Sequence, residues 1–143
     1  MSYVLEGEIE RLRIPPPRPP RSADRLWQHT CCEIFIAREG AAGYQELNFS
    51  PSGEWAAYSF RGYREGGARG DVVPAIEVSQ GPQRLELSAS IPLEEDGKLR
   101  IALSAVVEEE DGRLSYWALR HAPGKPDFHH PDAFALELDE VRH

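Results

Sequence analysis

What the chain has little of narrows its chemistry first. Among its 143 residues, no apolar run approaches the roughly 20 that a membrane-spanning helix needs. The opening, MSYVLEGEIERLRIP, has neither the basic start nor the apolar core of a secretory leader. A soluble, cytoplasmic protein with no membrane partner is therefore expected. Cations are in deficit: 16 Lys and Arg stand against 24 Asp and Glu, for a formal net charge of −8. A phosphate-tracking surface wants clustered Lys and Arg, so nucleic acid is not an expected partner. Cysteine is limited to the adjacent pair Cys31 and Cys32. Neighbours on a strand point to opposite faces and cannot bridge each other, and one of the two is expected in the core as a small hydrophobe. Without C-x-x-C or C-x-x-C-H, the zinc-finger, thioredoxin and covalent c-type haem signatures are missing.

What is present is period-two alternation, the mark of half-buried strands. In RLELSASIPL, residues Leu85, Leu87, Ala89, Ile91 and Leu93 share one face. In KLRIALSAVVEEEDGRLSYWALRH, residues Leu99, Ile101, Leu103, Ala105 and Val107 do the same, and after Asp111 and Gly112 the chain returns over 114–120. Asp-Gly between alternating segments is a hairpin signal, and Asp96 and Gly97 repeat it one strand earlier. CCEIFIA, GYQELNFS, EWAAYSFRGY and AFALELDEV read as further strands, and 3–14 as an edge strand. The Pro-rich stretch at about 15–22 reads as a rigid extended crossing loop. Twelve Pro and twelve Gly suit many turns, and no helix of three turns is written anywhere. The expectation is one all-β domain over 1–143, an antiparallel sandwich of jelly-roll or immunoglobulin-like form with about eight to ten strands.

Two long loops remain, FRGYREGGARGDVVP and HAPGKPDFHHPDA. The second, with its flanks, gathers Arg120, His121, Lys125, Asp127, His129 and His130 among Pro123, Pro126 and Pro131. Such a set suits a stiff, basic lip over an anionic or hydroxyl-rich ligand; the competing reading is a solvated loop tying down its own backbone. His129 and His130 are adjacent rather than spaced to share a metal, and no metal is expected. NFSPSGEW holds Ser50 and Ser52 without the G-x-S-x-G elbow, so it reads as a turn. Trp27, Trp55, Tyr58, Tyr63 and Trp117 sit at strand ends or beside polar residues, where rings can stack on sugars; at least one Trp is expected in the core. Tyr44, Glu46, Asn48 and Ser50 project together, as a pocket floor if that face is concave and as a wet sheet face if it is not.

The blocks LWQHTCCEIFIA, YQELNFSPSGEWAAYSFRGY and LSYWALRHAPGKPDFHHPDAFALEL resemble the DOMON-like family related to family 9 carbohydrate-binding modules. Trp27 precedes an acidic strand with Glu33, the block 48–55 follows, and 128–136 resembles the closing FH-x-P-x-x-F pattern. The similarity covers roughly 26–138. It implies a β-sandwich with a ligand pocket on one sheet, the ligands of the wider group being sugars or haem. Carried over by residue, the pocket candidates are Trp27, Asn48, Trp55, Tyr58, Arg120, His121, Lys125 and His129; Trp117 and Asp127 join them from the aromatic and loop readings. The haem branch uses Met with His or Lys, whereas the sole Met here is the first residue, leaving His29, His121 or His129 as stand-ins. The expected function is non-catalytic binding of a carbohydrate or related small polar metabolite, with no cofactor. The alternatives are a b-type haem electron-transfer domain and a small enzyme using the 121–129 loop; a homodimer through a sheet edge is the further partnership considered.

Overall fold

The computed structural model describes residues 1–93 and 97–141. It is an all-β, antiparallel sandwich. Ten strands are seen among the described residues: β1 (Ser2–Glu6), β2 (Cys31–Arg38), β3 (Tyr44–Phe49), β4 (Trp55–Gly62), β5 (Glu65–Arg69), β6 (Ala75–Gln80), β7 (Arg84–Ser90), β8 (Gly97–Glu108), β9 (Leu114–Ala118) and β10 (Leu136–Val141). The small sheet has the order β1-β7-β6, and the large one runs β10-β8-β2-β3-β4-β5. Strand β8 is long enough to take two partners on one side. Its first half pairs with β10 and its second half with β9, while β2 occupies the other side. The 119–135 connection therefore leaves and rejoins the same edge of the sheet.

Alternation explains the core. Leu87 and Ala89 of β7 face Cys32, Ile34 and Ile36 of β2, with Leu47, Phe49, Ala57, Leu99 and Ile101 completing the layer between the sheets. Tyr3 ties the layers by donating its hydroxyl hydrogen to the Glu33 carbonyl at 2.7 Å. Strand β2 departs from the one-sided pattern: residues 31–36 are buried on both faces. Its outward Phe35 packs with Tyr44, Ala102, Ala133 and Phe134 in a second cluster, supplied partly by the 119–135 connection. Both cysteines are free and buried, on opposite faces of β2.

Several boundaries differ from the sequence reading. The expected edge strand 3–14 is an edge strand only as far as Glu6. Gly7, at φ +138, takes a conformation closed to side-chain-bearing residues, and a 3₁₀ turn follows at Ile9–Arg11. Asp111 and Gly112 do join a hairpin, β8 to β9. The second Asp-Gly does not, because β7 and β8 belong to different sheets and the chain crosses between layers; Asp96 itself lies outside the described residues. Part of the first long loop is strand β5, paired to β4 through bulges at Gly66, where a Cβ would meet the Ser59 carbonyl at 3.2 Å. The sequence reading also passed over β6, since only Ile76 and Val78 mark its alternation and most of it is exposed. The Pro-rich segment runs extended beside β4, held by Arg18 N–H to Ser52 O (2.9 Å) and Trp55 N–H to Arg21 O (3.1 Å).

Phe49 is fully buried between the sheets, whereas Val73 is exposed. Phe49→Ala should cost about 3–5 kcal/mol in urea unfolding, and Val73→Ala less than about 0.5 kcal/mol.

Candidate functional site

The large sheet turns its second face away from the sandwich interior, and cross-strand register writes the pattern on it. Glu33 of β2 lies opposite Asn48 on β3 and Ser104 on β8. Ala56 flanks this row beyond Asn48, and Ala118 beyond Ser104. One step along, Phe35 lies opposite Glu46 and Ala102, with Tyr58 beyond Glu46. Glu33 and Glu46 are thus diagonal neighbours on one face, within side-chain reach.

A cavity of about 610 Å³ opens over these rows. Its floor is Glu33, Phe35, Glu46 and Val106. Tyr58, Phe60 and Tyr116 rise from β4 and β9 as walls. The segment before β2 adds Asp24, Arg25 and Trp27, the β4–β5 turn adds Arg64, β5 adds Gly67, and the 119–135 connection adds Pro126, Phe128 and His129.

The two floor acids are only 3% and 5% exposed. Burial pushes the Glu33 carboxyl well above the usual carboxylate range, and the charge and proton-sharing contact of Glu46 push it further. Burial also raises Glu46, although its contacts with Glu33 and Asn48 and the nearby Arg64 charge oppose the rise. The pair therefore keeps a proton to higher pH than two solvated carboxylates would.

His129 meets this pair as a neutral ring. Arg64 N–H donates to the Tyr44 hydroxyl oxygen at 3.1 Å, leaving the phenol hydrogen for His129 Nδ1 at 2.7 Å. The imidazole hydrogen then sits on Nε2, 3.4 Å from Glu46 Oε1. Burial and the Arg64 charge press the His129 pKa down to about 4, against the pull of Asp127, so this contact is not an ion pair at neutral pH. The ring is wedged edge-on between Phe35 (4.9 Å between centroids) and Phe60 (5.1 Å).

A clamp holds the roof down. Asp127 accepts from the Tyr63 hydroxyl, from Arg64 Nη2 at 2.8 Å and from the His129 backbone N–H at 3.2 Å. Burial would raise the Asp127 carboxyl, but Tyr63 and Arg64 outweigh it and hold it below its ordinary value. Arg64 adopts φ +52, a left-handed conformation unusual for a residue with a side chain.

The residues singled out in the sequence separate into groups. Trp27, Tyr58 and His129 line the cavity, and Asp127 sits behind it in the clamp. Asn48 is completely buried in the Glu33 row, with its amide beside Glu46; Ser104 Oγ in the same row meets no hydrogen-bond partner among the described residues. Trp55 packs against the layer between the sheets, on the other face. Trp117 also points away from the cavity, opposite in sense to Tyr116, and is 62% exposed. Arg120, His121 and Lys125 are exposed and outside the lining, with His121 stacked 6.2 Å from Phe128. The lip of this loop is thus Pro126 and Phe128, and the cations at the cavity are Arg25 and Arg64 from other segments. Ser50 joins Ser52 and Glu54 in a buried turn. His29 pairs with Glu108 at 3.0 Å. Among the described residues, no group of three or more His, Cys, Asp or Glu side chains could hold a metal ion, and no helix is long and apolar enough to cross a membrane.

The sequence reading offered Glu46 only as part of a floor conditional on a concave face, and it missed Glu33, Phe35, Phe60, Arg64, Tyr116 and Phe128 as site residues. A signal for Glu33 was present: a carboxylate in the midst of CCEIFIA, with apolar residues in both phases of the alternation, marks an acid on a covered face.

These features define a β-sandwich with a roofed, acid-floored pocket on the outer face of its larger sheet. No family model matches the chain, and no curated protein matches it. Among solved structures it is similar to a candidate carbohydrate-binding protein from Bacteroides uniformis ATCC 8492, with a TM-score of 0.59 and 15% identity over 96% of this chain and 69% of that one. At that identity the likeness is one of fold.

The floor predicts an unusual pH response. The folded pKa of Glu33 lies above its ordinary 4.5, so between the two values the folded state keeps a proton that the unfolded state has released. Stability must fall as pH rises through that window. Glu33→Gln removes this dependence, so the variant should melt above the unaltered protein at mildly alkaline pH and lose that advantage toward pH 4.5. His129 works in the opposite sense: from its ordinary 6.5 down to about 4 the unfolded state takes the proton first, and up to roughly 3 kcal/mol is lost as pH falls. Urea unfolding across this range, with His129→Asn as comparison, measures both slopes.

Proposed function

We propose that this chain is a non-catalytic binding domain for a carbohydrate or closely related polar ligand, of the DOMON-like type, with the cavity over Glu33 and Glu46 as its site. The observation that carries this reading is the pairing of aromatic walls with a polar floor. Trp27, Tyr58, Phe60 and Phe128 offer faces for the C–H surfaces of a sugar ring, and the acids meet its hydroxyls. A carboxyl pair sharing one proton both donates and accepts, as a hydroxyl does. A volume of about 610 Å³ falls in the range of small-molecule pockets. The fold of the Bacteroides uniformis protein supports the same ligand class. In this reading Trp27 and Tyr58 stack, Glu33 and Glu46 bind, Asn48 backs the floor, and Asp127 and His129 hold the roof in place.

The acid pair also bears on catalysis. Carboxyls that cleave a glycosidic bond stand about 5–5.5 Å apart in retaining enzymes and about 6.5–9.5 Å apart in inverting ones. Glu33 and Glu46 are diagonal neighbours on paired strands and lie together on the cavity floor, rather than facing each other across the space a ligand would fill. The histidine loop does not assemble an alternative: Asp127 is committed to Tyr63 and Arg64, and His121 stacks on Phe128.

Calorimetry with a panel of mono- and disaccharides tests the reading. Binding heat is expected, and Trp27→Ala should weaken it about tenfold or more. Absence of heat from every sugar would sink the proposal; binding that survives both Trp27→Ala and Tyr58→Ala would move the site elsewhere.

A further inference from the structure

The charges around the cavity do not balance at its floor. Asp24 at the mouth is paired with Arg69 at 2.6 Å, and Arg64 is drawn to Asp127 at 2.8 Å. Tyr44 and Tyr58 keep their phenol hydrogens, burial raising both, and the Cys31 thiol is likewise held protonated. His129 is neutral. Arg25 also lines the cavity, but among the described residues no Lys or Arg pairs with Glu33 or Glu46, which are left as a buried acid pair. A buried carboxylate without a paired counter-charge is costly, and for Glu33 both burial and Glu46 favour keeping the proton.

The walls favour positive charge as well. Phe35, Phe60, Tyr58, Trp27, Tyr116 and Phe128 all line the cavity, and the faces of such rings are negative. In the Glu33 row beneath the floor, the Ser104 hydroxyl adds a buried polar atom that meets no partner among the described residues. A sugar hydroxyl brings one donor and no charge. An ammonium brings three donors and the missing positive charge.

We infer that the floor of this cavity takes a protonated amine, and that the ligand class is an amine-bearing carbohydrate, its ammonium on Glu46 and Glu33 and its ring among Trp27, Tyr58 and Phe60. The carbohydrate part of this inference rests on the function proposed above; the amine part rests on the floor alone. A uronic acid would bring like charge to the acids, and an N-acetylated sugar would lose the cation. Binding of the amine displaces the proton shared by the acids, so the observed heat should change with the ionisation enthalpy of the buffer.

The test is calorimetry on the full chain near neutral pH with glucosamine, glucose, N-acetylglucosamine, glucuronate and the sugar-free amine ethanolamine. Glucosamine should bind at least about tenfold tighter than glucose or N-acetylglucosamine, with glucuronate weakest, and Glu46→Gln should close the gap between glucosamine and glucose. If Glu46→Gln does not fold, judged by its melting, the ranking in the unaltered protein decides alone. Equal affinity for glucose and glucosamine overturns the inference and leaves the carbohydrate reading standing. Binding of glucosamine and ethanolamine without any neutral sugar upholds the amine floor and removes the carbohydrate reading. Silence from the whole panel overturns both.

Discussion

Residues 31–36 of strand β2 are buried on both faces, and the rest of the molecule answers to that constraint. Alternation sends Cys32, Ile34 and Ile36 toward the small sheet and Cys31, Glu33 and Phe35 the other way. Three strands cover the first set. The second set needs a roof, and the 119–135 connection supplies it with Phe128, Ala133 and Phe134. A roof of loop has few backbone hydrogen bonds to the sheet beneath, so it is fastened through side chains: Asp127 to Tyr63 and Arg64, and His129 to Tyr44. The cavity is what remains where the roof does not close over the acids.

Holding two acids in that position opposes stability. Among the described residues neither has a cation seated on it, and the price is a proton held to higher pH than a free carboxylate would hold it. An apolar residue at Glu33 would suit the row formed with Asn48 and Ser104 no worse by packing alone. A local feature that costs stability and faces a cavity is the mark of a site, since the fold gains nothing from it. The left-handed Arg64 fits the same account, because its conformation aims the backbone N–H at Tyr44 and the guanidinium at Asp127.

The resemblance to DOMON-like domains and the fold likeness to a candidate carbohydrate-binding protein point the same way about architecture. The site differs in character from the basic lip expected of the histidine loop. Arg120, His121 and Lys125 lie outside the lining, while the face that the loop turns inward is aromatic and neutral. The acids came from the strands, not from the loop.

Periodicity was enough to read the sandwich, because apolar residues at every second position can be buried together only on a sheet face. It also placed Glu46 and Asn48 on one face, and the composition of strand ends marked Trp27 and Tyr58 as ring surfaces. Alternation assigns each residue to one of two faces but does not say what covers them. Whether the Glu46 face was a wet surface or a pocket floor depended on where 119–135 folds back, and that follows from β9 and β10 sharing one edge of β8. The same limit hid Arg64, whose segment reads as a loop and whose guanidinium meets Asp127, 63 residues away in the chain. Local sequence determined the strands and their faces; long-range register decided which acids meet, what shields them from water, and therefore what the pocket can hold.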